Sequence, residues 1–212
     1  MQVTWNNFPV PIVTIDDFLP EADAQRILTE CIDLKKFYQP AKIFDGPTAT
    51  KVDPTYRKND VVYLDTLFQG VHENSDILTT MKKAIWGEEA KRVWSKGNTL
   101  LEVLNYATHS EAVLSRYGKC DFYGKHRDTR FDHLTYRLVT LVYYVNTIPE
   151  KFTGGSLTFW HEDQSLKAEP KHNRLVVFPS WTMHEVENVR LPDDAAWEDG
   201  RFSLNYWMGF TS

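Results

Sequence analysis

The strongest constraint on the fold is a run of short apolar segments in the second half of the chain. From Leu100 onward, residues 101–106, 112–117, 137–145, 155–160, 174–178, 184–189 and 201–210 are apolar and are separated by turn-forming residues. Segments this short, at this spacing, predict an all-β sandwich or barrel. The first half reads differently. Residues 11–15 form a strand, and Leu19-Pro20-Glu21 opens a helix, with the proline suited to its first turn. Ala24, Ile27, Leu28, Cys31 and Ile32 then recur at helical spacing, so one face of that helix is buried. Residues 61–64 are another strand. Residues 75–94 predict a second helix, with Ile77, Leu78, Met81, Ala84 and Ile85 turned inward. Between these, residues 38–59 are polar, carry Pro40, Gly46, Pro47 and Pro54, and read as a long loop. Helices first and strands later predict a mostly-β chain with supporting helices (α+β), the helices bracing one outer face of a double-layered sheet.

A length of 212 residues, 42% of them hydrophobic, is enough for one domain. It is expected to run over 1–212, with helix-containing N-terminal support at 1–99 and the β-barrel core at 100–212. The net charge of −5 is spread over both signs without a basic stripe, which argues against nucleic acid as a partner. The longest apolar runs, such as 138–145, are too short to span a membrane. The opening Met1-Gln2-Val3-Thr4-Trp5 has no basic segment followed by an apolar one. Cys31 and Cys120 cannot make a disulfide framework, so a reducing cytoplasm is the expected location.

The polar residues with the most chemistry are His126 and Asp128, followed 58 positions later by His184 and then by Arg201. Residues i and i+2 of an extended segment point the same way, so His126 and Asp128 present imidazole and carboxylate to one spot while Arg127 turns away. His184 on a later strand completes three ligands, a set that suits ferrous iron and leaves coordination positions open. Chance proximity is the competing account, because the chain has seven histidines. The neighbouring Asp132-His133 reads as loop. The last strand alternates, with Arg201, Ser203, Asn205 and Trp207 on one face and Phe202, Leu204 and Tyr206 on the other. The apolar face packs on helices. The other holds a guanidinium that needs an anion if it is buried.

The blocks around these residues occur in a telling order. Tyr117-Gly118 precedes the His-x-Asp pair, and residues 137–146 (RLVTLVYYVN) follow it, then Gly154-Gly155-Ser-Leu-Thr-Phe. After these come residues 174–178 (RLVVF), His184-Glu-Val and residues 201–207 (RFSLNYW). This order resembles the 2-oxoglutarate/Fe(II)-dependent dioxygenases, in particular their prolyl-4-hydroxylase-like branch, strongly over residues 106–210 and in outline before that.

The resemblance implies a double-stranded β-helix (jelly-roll) core and Fe(II) held by His126, Asp128 and His184. It further implies 2-oxoglutarate bound through its distal carboxylate by Arg201. Tyr144 reaches the same carboxylate, helped by the nearby Ser203 hydroxyl. Tyr117 and Leu157 line the pocket, and Trp207 is a wall near the iron. No catalytic residue beyond the metal ligands is implied. O₂ is the other co-substrate, with ascorbate as an accessory. Because Asp128 is present, hydroxylation is favoured over halogenation. The leading expectation is hydroxylation of a C–H bond in a prolyl residue of a peptide or protein. The alternatives are a free amino acid or small metabolite as substrate, a non-catalytic metal-binding cupin-like module, and a zinc hydrolase. The last lacks a placed base, since Glu185 should face away.

Three points stay open at this level. Seventeen positions separate His184 from Arg201, more than the family usually shows, and residues 191–200 read as an acidic exposed loop. Arg190 is therefore a rival for the carboxylate. Residues 38–59 are a candidate lid, in which Lys42, Lys51 and Arg57 either meet an acidic substrate or form a solvated face. Gly154-Gly155 marks a bulge or tight bend and is read as backbone geometry alone.

Overall fold

The computed structural model describes residues 1–45, 49–69, 71–97, 99–129 and 135–211. The Asp132-His133 pair, and Gly46 and Pro47 of the expected loop, lie outside the described residues.

In chain order the main elements are strands β1 (Gln2–Phe8) and β2 (Val10–Asp16), helix α1 (Glu21–Asp33), strand β3 (Asp60–Tyr63), and helices α2 (Asp76–Trp86) and α3 (Glu88–Gly97). Strands β4 (His109–Tyr117), β5 (Phe122–His126), β6 (Thr135–Val145), β7 (Leu157–His161), β8 (Gln164–Ala168), β9 (Arg174–Pro179), β10 (His184–Val186) and β11 (Arg201–Thr211) follow. The larger sheet has the order β1-β2-β9-β6-β11-β4-β3, with Gln39–Pro40 at its far edge. The smaller has the order β8-β7-β10-β5, with Arg57–Lys58 at its edge. Neighbouring strands in both sheets are antiparallel, the arrangement of a jelly roll.

Both faces of the larger sheet are covered. Val139, Leu141 and Tyr143 of β6 and Phe202, Leu204 and Tyr206 of β11 pack with Ile27, Leu28, Met81, Ile85 and Trp94 of the helices. The opposite side chains, Val142, Tyr144, Val176 and Phe178, meet Leu157, Phe159 and Val186 of the smaller sheet. Period-two alternation on β6 and β11 thus sorts one set of side chains toward the helices and the other into the space between sheets.

The first half contributes more than support. Strands β1, β2, β3 and Gln39–Pro40 are half of the larger sheet, so the sheet crosses the expected division at residue 99. Residues 101–106 are not a strand. They form a helical turn, Thr99–Glu102, and a 3-10 turn, Val103–Asn105, with Leu101 and Leu104 buried at i, i+3 spacing. A short apolar run does not by itself distinguish helix from strand. The helix expected over 75–94 is two helices. It opens with Ser75 accepting the Leu78 N–H at 3.1 Å, then breaks at the extended Gly87, where a Cβ would sit 2.6 Å from the Lys83 carbonyl oxygen. Strands β1 and β8 were not foreseen, because both are largely exposed edge strands with little apolar alternation. Residues 191–200 are not simply exposed. Trp197 packs edge-on to Tyr38 and Phe202, and the Asp199 carboxylate accepts from Lys151 at 3.0 Å. Among the described residues no helix is long and apolar enough to cross a membrane. Cys31 is buried and Cys120 exposed, both as free thiols.

Candidate functional site

Strand pairing brings the two histidines together. In the β5–β10 ladder His126 and His184 are direct cross-strand partners, and the register shifts just beyond them. Directly opposed residues hold their Cβ atoms about 4.5–5.5 Å apart. The ring centroids of the two imidazoles are accordingly 4.2 Å apart. Each ring is fixed through Nδ1, which donates to the backbone carbonyl two residues earlier, Gly124 for His126 and Thr182 for His184, both at 2.8 Å. That selects the tautomer with a free Nε2 lone pair directed into the site. Tyr123 stacks on His126 at 3.6 Å between centroids, and Phe178 meets His184 edge-on at 4.9 Å. Burial, and then the neighbouring His126, push His184 down to about 4, so its imidazole is neutral.

Asp128 lies just past the end of β5, in a bend whose amide donates to the Ser180 carbonyl at 2.9 Å. Its two carboxylate oxygens divide between the rings: Oδ1 is 3.6 Å from His126 Nε2, and Oδ2 is 3.6 Å from His184 Nε2. Thr140 donates its hydroxyl to Oδ2 at 2.8 Å and also bonds Ser180 Oγ at 2.9 Å. Burial alone would raise the Asp128 carboxyl. Positive charge at the His184 and His126 rings outweighs it and holds the group well below the usual carboxylate range; with both rings neutral, a bound cation would supply that charge. The Trp207 indole N–H lies near enough to favour the charged form but falls short of hydrogen-bond geometry. Two neutral nitrogens and one carboxylate oxygen, all within 4.8 Å of one another, form a donor set that fits a divalent cation such as Fe(II).

These groups open into a cavity of about 400 Å³, whose wall also includes Tyr117, Leu157, Arg201, Ser203 and Trp207. Arg201 is 1% exposed, yet no carboxylate pairs with it among the described residues. Its Nε donates to the Gly155 carbonyl at 2.8 Å and its Nη1 to Ser203 Oγ at 3.2 Å. The guanidinium lies 4.7 Å from the centre of the Tyr117 ring and 4.8 Å from that of Tyr144. Tyr144 stands behind Arg201 rather than on the cavity wall. Its hydroxyl is buried without a hydrogen-bond partner, and burial pushes its pKa up to about 12. A buried guanidinium without an acid, beside an unpartnered phenol, is costly unless an anion completes it. A carboxylate entering the cavity does so, and a dicarboxylate has a second end left for a metal.

Arg190, the rival, is exposed at the end of the Thr153–Gly154/Val189–Arg190 pair and does not line this cavity. Glu185 faces the other side of the smaller sheet, accepting from the Trp160 indole at 3.0 Å. Several contributors were not foreseen. Gly155 was read as backbone geometry alone, but its carbonyl holds Arg201, and at φ +67° a Cβ there would meet Arg201 Cδ at 2.8 Å. Thr140 lay in the 137–146 block without a role. Arg137 was read as part of a block only. A bulge between Arg137 and Val139 shifts the register of β6 by one residue and turns Arg137 into the cavity. There it forms a two-pronged pair with Glu111 and stacks 4.1 Å from the centre of the Trp207 ring. Simple alternation from Thr140 points Arg137 the other way, so no sequence signal revealed it.

Comparison with known proteins agrees with this geometry. Residues 112–209 match the family model of the 2OG-Fe(II) oxygenase superfamily. An uncharacterized PKHD-type hydroxylase from Synechocystis sp. is 26% identical over 208 residues, covering 92% of this chain. The chain spans about three fifths (61%) of that relative's length. A prolyl hydroxylase from Trichoplax adhaerens, solved in complex with a hypoxia inducible factor oxygen degradation domain peptide fragment, superposes with a TM-score of 0.68 at 18% identity. The superposition covers 93% of this chain and 83% of that one. A Pseudomonas putida prolyl-4-hydroxylase superposes with a TM-score of 0.61 at 22% identity, covering 94% and 92%. At these identities the two structures speak for the fold.

Proposed function

We propose that the chain, whose residues 112–209 match the family model of the 2OG-Fe(II) oxygenase superfamily, is a 2-oxoglutarate- and Fe(II)-dependent dioxygenase that hydroxylates a prolyl residue in a peptide or protein. One observation carries the reading: a three-ligand face and a buried guanidinium without an acid partner among the described residues open into the same cavity. His126, Asp128 and His184 would hold the iron. Arg201, with the Ser203 hydroxyl, would hold the distal carboxylate of 2-oxoglutarate, and the Tyr144 ring packed against the guanidinium would back it, its phenol reaching the carboxylate only if the ligand penetrates past the present cavity wall. Iron and 2-oxoglutarate, when bound, would supply the oxidising chemistry, in which one O₂ would convert C–H to C–OH and 2-oxoglutarate to succinate and CO₂.

The protein's part is positioning. The two Nδ1 anchors fix the imidazoles, Thr140 fixes one oxygen of Asp128, and the Gly155 carbonyl fixes the arm of Arg201. Leu157, Val142 and Val186 line the space between these groups with hydrocarbon. The prolyl assignment is supported by the fold shared with the two prolyl hydroxylases.

The test is succinate formation from 2-oxoglutarate with Fe(II) and ascorbate, with and without proline-containing peptides, and mass spectrometry for an added oxygen on the peptide. A +16 Da product on proline, coupled to succinate, is the expected result. Iron and 2-oxoglutarate bound without succinate under any peptide condition would refute the reading.

A further inference from the structure

The cavity carries more positive charge than metal and co-substrate use. Besides Arg201, its wall includes Lys42, Arg57, Arg127 and Arg137, against two acids among the described residues, Glu111 and Asp128. Asp128 belongs to the metal face, and Glu111 is taken by both prongs of Arg137. Lys42, Arg57 and Arg127 remain, and none of the three forms an ion pair among the described residues.

Arg57 is the most telling. It is half-buried, and its partners are neutral: Asn59 Oδ1 at 2.8 Å, the Lys42 carbonyl at 3.4 Å, and the face of Tyr123 at 4.4 Å. The two cations of its segment that do not line the cavity are spoken for, Lys51 by Asp45 at 3.5 Å and Lys58 by Asp121 at 3.2 Å. Within this segment, among the described residues, the cations without an ion pair are therefore the ones that line the cavity. They come from two separate pieces of chain. Lys42 and Arg57 belong to the 38–59 segment, whose Ile43–Phe44/Thr50–Lys51 hairpin also lines the cavity, and Arg127, expected from alternation to turn away, lines the cavity from its place between His126 and Asp128. They stand on a molecule whose net charge is −5, so the positive mouth is local. Such a mouth attracts an anionic substrate and, within the low-dielectric cavity, is neutralised by it.

We propose that the substrate is an acidic polypeptide segment whose carboxylates flank the oxidised residue and engage Arg57, with Lys42 and Arg127 as further contacts. This rests on the oxygenase reading above and adds the substrate's charge to it.

The test uses the full chain loaded with Mn(II) and 2-oxoglutarate, and fluorescein-labelled proline-centred peptides with Glu on either side of the proline, or Gln in their place. Anisotropy titration should show the Glu peptide binding roughly tenfold or more tighter at low ionic strength, the scale of one charge-assisted contact. Added salt should shrink the difference. Arg57→Gln should bring the two peptides close to parity, and the exposed Arg127→Gln should narrow the gap. Lys82→Gln, on α2 and outside the cavity lining, should leave it intact. Equal affinity for the two peptides, binding of neither, tighter binding of an oligonucleotide than of the Glu peptide, or an undiminished preference in Arg57→Gln would overturn the acidic preference. Calorimetric titration of 2-oxoglutarate into the Mn(II)-loaded protein separates the two levels. Binding there with peptide parity sinks only the substrate charge, whereas no binding sinks the oxygenase reading itself.

Discussion

At the residue scale, Arg201 and Gly155 act as one device. A guanidinium that is 1% exposed, with neutral partners only, keeps its charge for an incoming anion. Arg201→Ala should weaken 2-oxoglutarate binding by about 1.5–3 kcal/mol, the range for a lost charge-assisted hydrogen bond, and Arg190→Ala should leave it unchanged. Calorimetry on the Mn(II)-loaded variants decides between them, and the reverse pattern would reassign the anion site to Arg190. Gly155 is needed for two reasons at once. Its φ of +67° disfavours any side chain, and the Arg201 arm and Val189 both lie 2.8 Å from where a Cβ would be. Gly155→Ala should therefore cost about 1–3 kcal/mol in urea unfolding and also lower 2-oxoglutarate affinity. A stability loss with normal affinity would show that the arm can pass by another route. The sequence displayed Arg201 because alternation on β11 isolates it from an apolar face. It could not display the role of Gly155, since a carbonyl acceptor has no residue type and the close approach exists only after two distant strands meet.

At the element scale, register does the work that spacing only hinted at. The His-x-Asp pair and the later histidine were legible as types, but their convergence depends on His126 facing His184 across the β5–β10 ladder. The alternation of β11 was legible because the strand buries both faces with different chemistry. The bulge that turns Arg137 inward was not, because one extra residue leaves no compositional trace. Edge strands were likewise invisible, and the second helix was read through its break because Gly87 sits within an otherwise helical pattern. The junction of β2 with β9 gives a pH-dependent test. Asp16 accepts from Arg174 Nε at 2.5 Å and from Nη2 at 2.9 Å, and that pairing holds its carboxyl below the usual range. A depressed carboxyl stabilises the fold above its unfolded pKa of about 3.9, and that contribution is lost as pH falls through the folded value. Asp16→Asn should thus be less stable than wild type at neutral pH by about 1–2 kcal/mol, with the gap closing in acid below about pH 4. Urea unfolding across pH is the measurement. A gap that stays constant into acid would mean the pair contributes by packing rather than by charge.

At the scale of the whole molecule, the division of labour follows from which faces are covered. Helices seal one side of the larger sheet with hydrocarbon, so only the space between the sheets is left for polar groups, and the ligand face, Arg201 and the 38–59 hairpin all open there. The smaller sheet is held on one flank by the short Arg57–Lys58 pairing, and its metal face joins β5, β10 and the bend at Asp128. A metal bound there links segments distant in the chain in the folded state only, so binding must stabilise folding by mass action. At a free metal concentration about a hundred times Kd the gain is about 2.7 kcal/mol. For a domain of this size that raises Tm by about 5–10 °C. Mn(II) should produce such a rise in wild type, 2-oxoglutarate should add to it only when metal is present, and His184→Ala should lose both increments. The dependence on metal is informative because Arg201 alone gives 2-oxoglutarate one anchored end, whereas Arg201 and the ion together grip both. A full shift from 2-oxoglutarate in metal-free protein would mean that the diacid does not reach the ligand face, and would separate two sites that the geometry places in one cavity.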